Sequence, residues 1–143
     1  MEQYIVQKSI WLNALPDVVW DVLTNPEKTK RYFFNCRVIS DWKPGSPITC
    51  KGRIFLFKKI ELHGEIIDVL PEKLLKYKLN NTRDSSVSTV TDTLTPENGG
   101  TLLTILDDVG QGAGAAERYN RSIKGWDKVL KGLKKVVDDE IYR

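Results

Sequence analysis

The most regular pattern in the sequence is an apolar stripe near its C-terminus. Apolar residues recur there at spacings of three and four, which is typical of one face of an amphipathic helix. They are Ile123, Trp126, Leu130, Leu133 and Val137. We therefore predict a helix over Ala115–Ile141, roughly 40 Å long at 1.5 Å per residue. A helix of that length needs an equally long apolar surface to cover its stripe.

The segments before this helix are typical of strands. They are rich in β-branched and aromatic residues, and short turns with proline, glycine or asparagine separate them. The predicted strands cover residues 4–12, 36–40, 48–53, 60–69, 74–79, 86–95 and 101–107. Residues 54–59 either continue the third of these strands or form a loop. Successive strands joined by short turns favour an antiparallel meander.

Two short helices are predicted between the first two strands, over Pro16–Thr24 and Pro26–Tyr32. Each begins with a proline, which suits the first helical turn because its nitrogen needs no partner there. The sequence therefore predicts an α+β fold in which a curved antiparallel sheet of six to seven strands grips one long C-terminal helix, with two short helices after the first strand. No repeat or linker divides residues 1–143, so we expect a single domain.

The composition is that of an ordinary globular domain and argues against several classes of protein. The formal net charge is +3, too small for the basic stripe that nucleic-acid binding favours. No apolar stretch approaches the ~18 residues needed to span a bilayer, and the N-terminus lacks the pattern of a signal peptide. We therefore expect a cytoplasmic protein without nucleic-acid or membrane partners. Cys36 and Cys50 form no CxxC motif and are expected to fill the core.

Candidate catalytic and metal-binding residues are few. His63 is the only histidine, which excludes a histidine-rich zinc site, and Cys36 and Cys50 are not spaced from it as ligands would be. No serine lies in a G-x-S-x-G motif. Asp107 and Asp108 are adjacent on a predicted strand and would face opposite sides, so we interpret them as a solvated edge rather than a carboxylate pair. The sequence thus predicts no catalytic residue, no metal and no cofactor.

Five segments resemble, in their order and spacing, those of the START-like (SRPBCC) superfamily. They are ALPDVVWDVLTNPE at 14–27, SDWKPGSP at 40–47, GEIIDVLPEKLLKY at 64–77, GTLLTI at 100–105, and Gly125-Trp126 followed by Leu130 and Leu133. Together they resemble the branch named after the activator of the heat-shock-protein-90 ATPase. The resemblance implies the helix-grip fold, in a superfamily whose members elsewhere bind lipids, polyketides or hormones. The name of the branch comes from a two-domain co-chaperone, whereas this chain resembles one domain of it.

The resemblance also implies where a ligand would lie. In the helix-grip fold the helix and the sheet do not meet completely, and an apolar space of this kind is the default ligand site. The residues that we expect to line it are Trp42, Phe55, Phe57, Tyr77, Val90, Trp126 and Val129, with His63 at the mouth. The alternative is that side chains fill this space completely.

The sequence leaves three functions open. The first is binding of a hydrophobic small molecule, lipid or polyketide-like, by a monomeric protein that catalyses no reaction. The second is contact with a chaperone, in which the protein binds or stimulates the heat-shock-protein-90 ATPase during a stress response. The third is a cyclase or hydrolase, for which His63 or Glu65 would supply the polar group inside the cavity.

Overall fold

The computed structural model describes residues 4–54, 58–80 and 85–142, and its helices and strands follow the predicted order. In chain order the elements are β1 (Ile5–Leu12), α1 (Pro16–Thr24), α2 (Pro26–Tyr32), β2 (Cys36–Ser40), β3 (Pro47–Ile54), β4 (Lys58–Leu70), β5 (Leu74–Asn80), β6 (Val87–Glu97), β7 (Gly100–Asp108) and α3 (Ala115–Ile141). This succession confirms the predicted α+β, helix-grip fold.

The strands of the described ranges form one antiparallel sheet in the order β1-β7-β6-β5-β4-β3-β2. From β2 to β7 each strand pairs with the next, which is the predicted meander. β1 is different, because it pairs with β7, with Ile5 opposite Asp108. The register of β4 against β5 shifts between Ile66 and Asp68, and irregularities of this kind bend a strand and increase its twist. The sheet therefore curves and offers a concave face to a helix.

The concave face is covered by the apolar stripe of α3. Leu133 and Val137 of that stripe are 1% and 0% exposed. They belong to one core together with inward-facing residues of the central strands, among them Leu103 and Ile105 of β7. Within the described ranges, no helix is both long and apolar enough to cross a membrane.

The two short helices are fixed to the sheet by buried hydroxyl groups. The hydroxyl of Thr29 donates to the carbonyl of Cys36 at 3.1 Å and accepts the backbone N–H of Val38 at 2.9 Å, so α2 is joined to β2. The hydroxyl of Tyr32 donates to the carbonyl of Val22 at 2.8 Å, so α2 is also joined to α1. These bonds hold the C-terminal end of α2 in place, and with it the turn that follows.

The two cysteines lie in the core, as predicted. Cys36 and Cys50 are free and buried on neighbouring strands. Burial, with a smaller contribution from Cys36, raises the pKa of the Cys50 thiol to about 12. A thiol with so high a pKa stays protonated at neutral pH, and it packs like a small apolar group.

Candidate functional site

A cavity of about 390 Å³ lies between the N-terminal half of α3 and the sheet. Its walls come from the turn after α2, from inward positions of β4 to β7, and from α3. Apolar and aromatic side chains supply most of the lining: Phe33, Leu62, Leu79, Val90, Trp126 and Val129. Phe34 and Arg121 also line the cavity and are exposed to solvent, so they mark its rim.

The turn after α2 forms one wall of this cavity through its backbone conformation. Phe34 and Asn35 both adopt positive φ, 51° and 59°. Residues other than glycine adopt this backbone conformation at a cost in energy. Phe33, just before them, packs its ring edge-on against Trp126, with 6.1 Å between ring centroids. Phe34 is 41% exposed. The turn therefore contributes one ring to the wall and one to the rim.

A second, narrow cavity of about 30 Å³ lies deeper in the core. Phe33, Trp126 and Val129 line both cavities, so these three side chains stand between them. The narrow cavity is large enough for only a water-sized group. Tyr77 and Asp92 contribute to its walls.

The polar centre of the larger cavity is the carboxylate of Asp107, which is 6% exposed at the end of β7. Its Oδ2 atom accepts two hydrogen bonds from α3, from the hydroxyl of Ser122 at 2.5 Å and from the indole N–H of Trp126 at 2.8 Å. Its Oδ1 atom is buried without a hydrogen-bond partner among the described residues. Burial raises the pKa of this carboxyl, and the two hydrogen bonds oppose that rise.

A second buried carboxyl lies next to it. Asp92 of β6 is 4% exposed and pairs with Ile105, while Val90 pairs with Asp107. The two acidic residues are therefore diagonal neighbours on the concave face of the sheet. Burial, followed by the charge of Asp107, raises the pKa of Asp92 from 3.8 to about 7. Like its neighbour, Asp92 has a buried Oδ1 atom with no partner in the part of the chain that the structure describes.

Arg118 of α3 holds the loop between β7 and α3 against the cavity. Its guanidinium donates to the carbonyls of Val109 and Ala113, both at 2.9 Å, and to that of Gln111 at 3.4 Å. The residue is only 6% exposed. These bonds close the loop around one side chain, so the loop forms a defined part of the cavity wall.

The residues predicted for the ligand site fall into three groups. Trp42 and Tyr77 line the narrow cavity, Val90 lines the larger one, and Trp126 and Val129 line both. The second group, Phe55 and Phe57, lies outside the described residues.

His63 forms the third group, because the structure places it away from both cavities. Leu62 faces the larger cavity, and neighbours on a strand point to opposite faces. The His63 side chain is accordingly 61% exposed, with its Nε2 3.1 Å from Glu61 Oε1. Glu65, two residues further along β4, is exposed as well.

One interpretation drawn from the sequence is wrong at the acidic residues, and one buried carboxyl is missing from it. Asp108 does point away from Asp107, but Asp107 is buried against α3 and is not a solvated edge. Asp92 was not recognised at all. Its signal was present in the sequence, since Val90, Asp92 and Leu94 share one face of β6 and the middle position of that apolar face is charged.

Comparison with solved structures identifies the same fold in bacterial proteins. A protein from Cytophaga hutchinsonii is 31% identical, with a TM-score of 0.76 and both chains covered in full. A protein from Nitrosomonas europaea is 21% identical, with a TM-score of 0.81 over 95% of each chain. A protein in the dynemicin biosynthetic locus is 18% identical, with a TM-score of 0.74 over 96% of this chain and 48% of that one. At identities this low, the last two show the fold alone.

Comparison of the sequence with known families and proteins is consistent with the structure. No curated protein matches the sequence. The sequence profile of one family, described as Activator of Hsp90 ATPase homolog 1-like protein, matches residues 13–138. The match covers α1, α2, all strands but β1, and α3 as far as residue 138. The chain is therefore a member of the Activator of Hsp90 ATPase homolog 1-like family, within the START-like superfamily.

Proposed function

We propose that the protein binds a hydrophobic small molecule in the larger cavity. The observation that carries this proposal is a cavity of about 390 Å³ with apolar and aromatic walls that runs from an exposed rim to a buried carboxylate. Ligand sites in proteins usually have volumes of about 300–1,000 Å³ and the same combination of apolar walls with a few polar groups.

Binding is favoured over catalysis by the way in which the polar side chains of the cavity are used. Asp107 is held by Ser122 and Trp126, and Arg118 is held by three loop carbonyls. Groups held in this manner shape and stabilise a site. Because the superfamily that the sequence resembles includes proteins that bind lipids and polyketides, an alkyl chain and an aromatic polycycle are both included among the ligands to be tested.

The proposal is tested by NMR titration of the purified protein with 1-decanol and with an anthraquinone. We expect chemical-shift changes to cluster at the cavity lining, including Phe33, Val90 and Val129. A variant that blocks the cavity is Gly125→Leu, because a Cβ at Gly125 would lie 3.5 Å from Phe34 Cζ, at the cavity wall. Lys124→Leu adds the same side chain to the neighbouring, exposed position and is the matched control.

Gly125→Leu is expected to weaken binding by at least about tenfold, because the new side chain occupies the space of the ligand. Lys124→Leu is expected to bind as the native protein does. Shift changes that cluster away from the cavity, or equal binding by both variants, would contradict the proposal.

A second candidate function is contact with the heat-shock-protein-90 chaperone, and it is favoured by the description of the matching family. An ATPase assay with the chaperone from the same organism tests it, with an increase in turnover expected. Gly125→Leu should stimulate as well as the native protein if this contact is independent of the cavity. Unchanged turnover at saturating protein would reject this candidate.

A further inference from the structure

The chemistry of the cavity ligand can be narrowed from the buried acidic residues, provided that the cavity binds a ligand as proposed above. Among the described residues, the ion pairs join side chains near the surface. Neither Asp92 nor Asp107 belongs to one. The concave face of the sheet therefore carries two carboxyl groups that form no ion pair with a described residue.

The two carboxylate oxygen atoms of Asp107 differ in their hydrogen bonds. Oδ2 accepts from Ser122 and Trp126, which lie four residues apart on one face of α3 and fix the orientation of the carboxylate. Oδ1 is buried and accepts from no described residue. A carboxylate has acceptor capacity for about four hydrogen bonds, so the side chain retains unused capacity in the wall of a mostly apolar cavity.

None of the other polar side chains that line the cavity, Asn80, Ser88, Arg118, Arg121 and Ser122, donates to this atom. Arg118 donates to three loop carbonyls, and Arg121 is exposed at the rim. The hydroxyl of Ser122 donates its hydrogen bond to Oδ2. A ligand with a carboxylate at its inner end would be repelled by Asp107, whereas a ligand with an N–H or O–H group there would complete its hydrogen bonds.

We propose that the ligand is an apolar molecule whose inner end carries a hydrogen-bond donor, an amine or a hydroxyl group, and that Asp107 accepts this donor through Oδ1. The apolar body lies against Phe33, Val90 and Val129, and the donor end points toward β7. An ammonium group binds more tightly than a hydroxyl group, because a hydrogen bond between opposite charges is stronger than one with a neutral donor.

The test uses three probes that share one body and differ only in the polar group: 2-naphthylmethylamine, 2-naphthalenemethanol and 2-naphthoate. Calorimetric titration at neutral pH is expected to give the order amine, alcohol, carboxylate, with about a tenfold or larger difference in Kd between the first and the last. NMR shifts at the cavity lining establish that each probe binds there.

Two variants make the test specific for Asp107. Asp107→Asn is expected to bring the amine and the carboxylate within about threefold of each other. Asp108→Asn removes the same charge from the next residue, whose side chain faces away from Asp107 and bonds to the backbone of Gly110. It should leave the preference for the amine intact. The ranking of the three probes by the native protein needs no variant and stands even if Asp107→Asn does not fold.

The outcomes separate this inference from the proposed function. If the three probes bind in the cavity with equal affinity, or the carboxylate binds best, the inference is overturned and the cavity remains a binding site. If Asp107→Asn keeps the full preference for the amine, the inference is also overturned. If neither these probes nor 1-decanol nor the anthraquinone binds, both proposals fail.

Discussion

The indole N–H of Trp126 donates to Oδ2 of Asp107 across 2.8 Å. This one contact joins the middle of α3 to the end of β7 and lies at the boundary between the two cavities. The packing of the closing helix and the orientation of the buried carboxylate therefore depend on the same side chain.

Replacing Trp126 by Phe removes this hydrogen bond while keeping an aromatic ring. We expect a loss of about 2–4 kcal/mol in the free energy of unfolding, because Oδ2 loses a donor and the smaller ring leaves a gap. Urea denaturation measures it. Trp20→Phe is the control, since Trp20 packs against the core without such a contact and should lose less. Equal losses in the two variants would contradict the structural importance of the bond.

The stability of the protein should depend on the ionisation of Asp92. The pKa of this carboxyl is raised from 3.8 to about 7 in the folded protein, so between these values the folded state binds a proton that the unfolded state has released. The contribution of Asp92 to the free energy of unfolding therefore falls as the pH rises from about 4 to about 7. Asp92→Asn removes this dependence and should be more stable than the native protein at pH 8, by on the order of 4 kcal/mol.

Unfolding curves at pH 4 and pH 8 check this prediction. At pH 4 the two proteins should differ little, because Asp92 is then protonated and resembles the amide. Asp41→Asn changes an exposed carboxyl and should leave the pH dependence as it is in the native protein. The prediction would be refuted if the free energies of unfolding of the native protein and of Asp92→Asn changed by the same amount between pH 4 and pH 7.

Two glycines of α3 give opposite predictions for the same substitution. A Cβ at Gly125 would lie 3.5 Å from Phe34 Cζ, an ordinary contact, whereas a Cβ at Gly132 would lie 2.9 Å from the Cβ of Tyr32. Gly125→Ala should stabilise the protein by about 0.5–1 kcal/mol, because alanine favours the helix over glycine. Gly132→Ala should destabilise it by about 1–3 kcal/mol, because α2 must move. Thermal unfolding of both variants measures the sign.

The join between α2 and the edge strand β2 depends on the Thr29 hydroxyl. Thr29→Val keeps the shape of the side chain but removes the acceptor for Val38 N–H and the donor to Cys36. We expect a loss of about 1–3 kcal/mol, because the Val38 N–H loses its side-chain acceptor in the core. Thr24→Val is the control, since the hydroxyl of Thr24 donates within its own helix, to the carbonyl of Trp20, and the variant should lose less. Chemical denaturation of both variants measures the two losses, and equal losses would contradict the prediction.

The sequence predicted the elements of the fold because each has its own local pattern. The stripe from Ile123 to Val137 determines one face of a helix whatever surrounds it. The prolines at positions 16 and 26 mark where α1 and α2 begin. The order of β2 to β7 followed from the succession of short turns, whereas the pairing of β1 with β7 did not.

The polar part of the site was harder to predict, because it depends on which strand faces meet. Asp92 and Asp107 are fifteen residues apart, and the register of β6 against β7 makes them neighbours. His63 was assigned to the cavity mouth by its chemistry, whereas its position on β4 next to an inward-facing Leu62 places it outside. Which face of the sheet a residue occupies, and how two strands are aligned, are tertiary properties. The types of the polar residues alone do not predict them.

The pairing of β1 with β7 has a consequence for how the chain folds. Ile5 and Asp108 are partners across the sheet, although about a hundred residues separate them. Contacts between such distant residues close a large loop and slow folding relative to contacts between neighbours. During synthesis, the first strand must wait without its partner until the last strand has left the ribosome. Variants that weaken this pairing are therefore expected to lengthen the period in which the N-terminal strand is exposed to other chains.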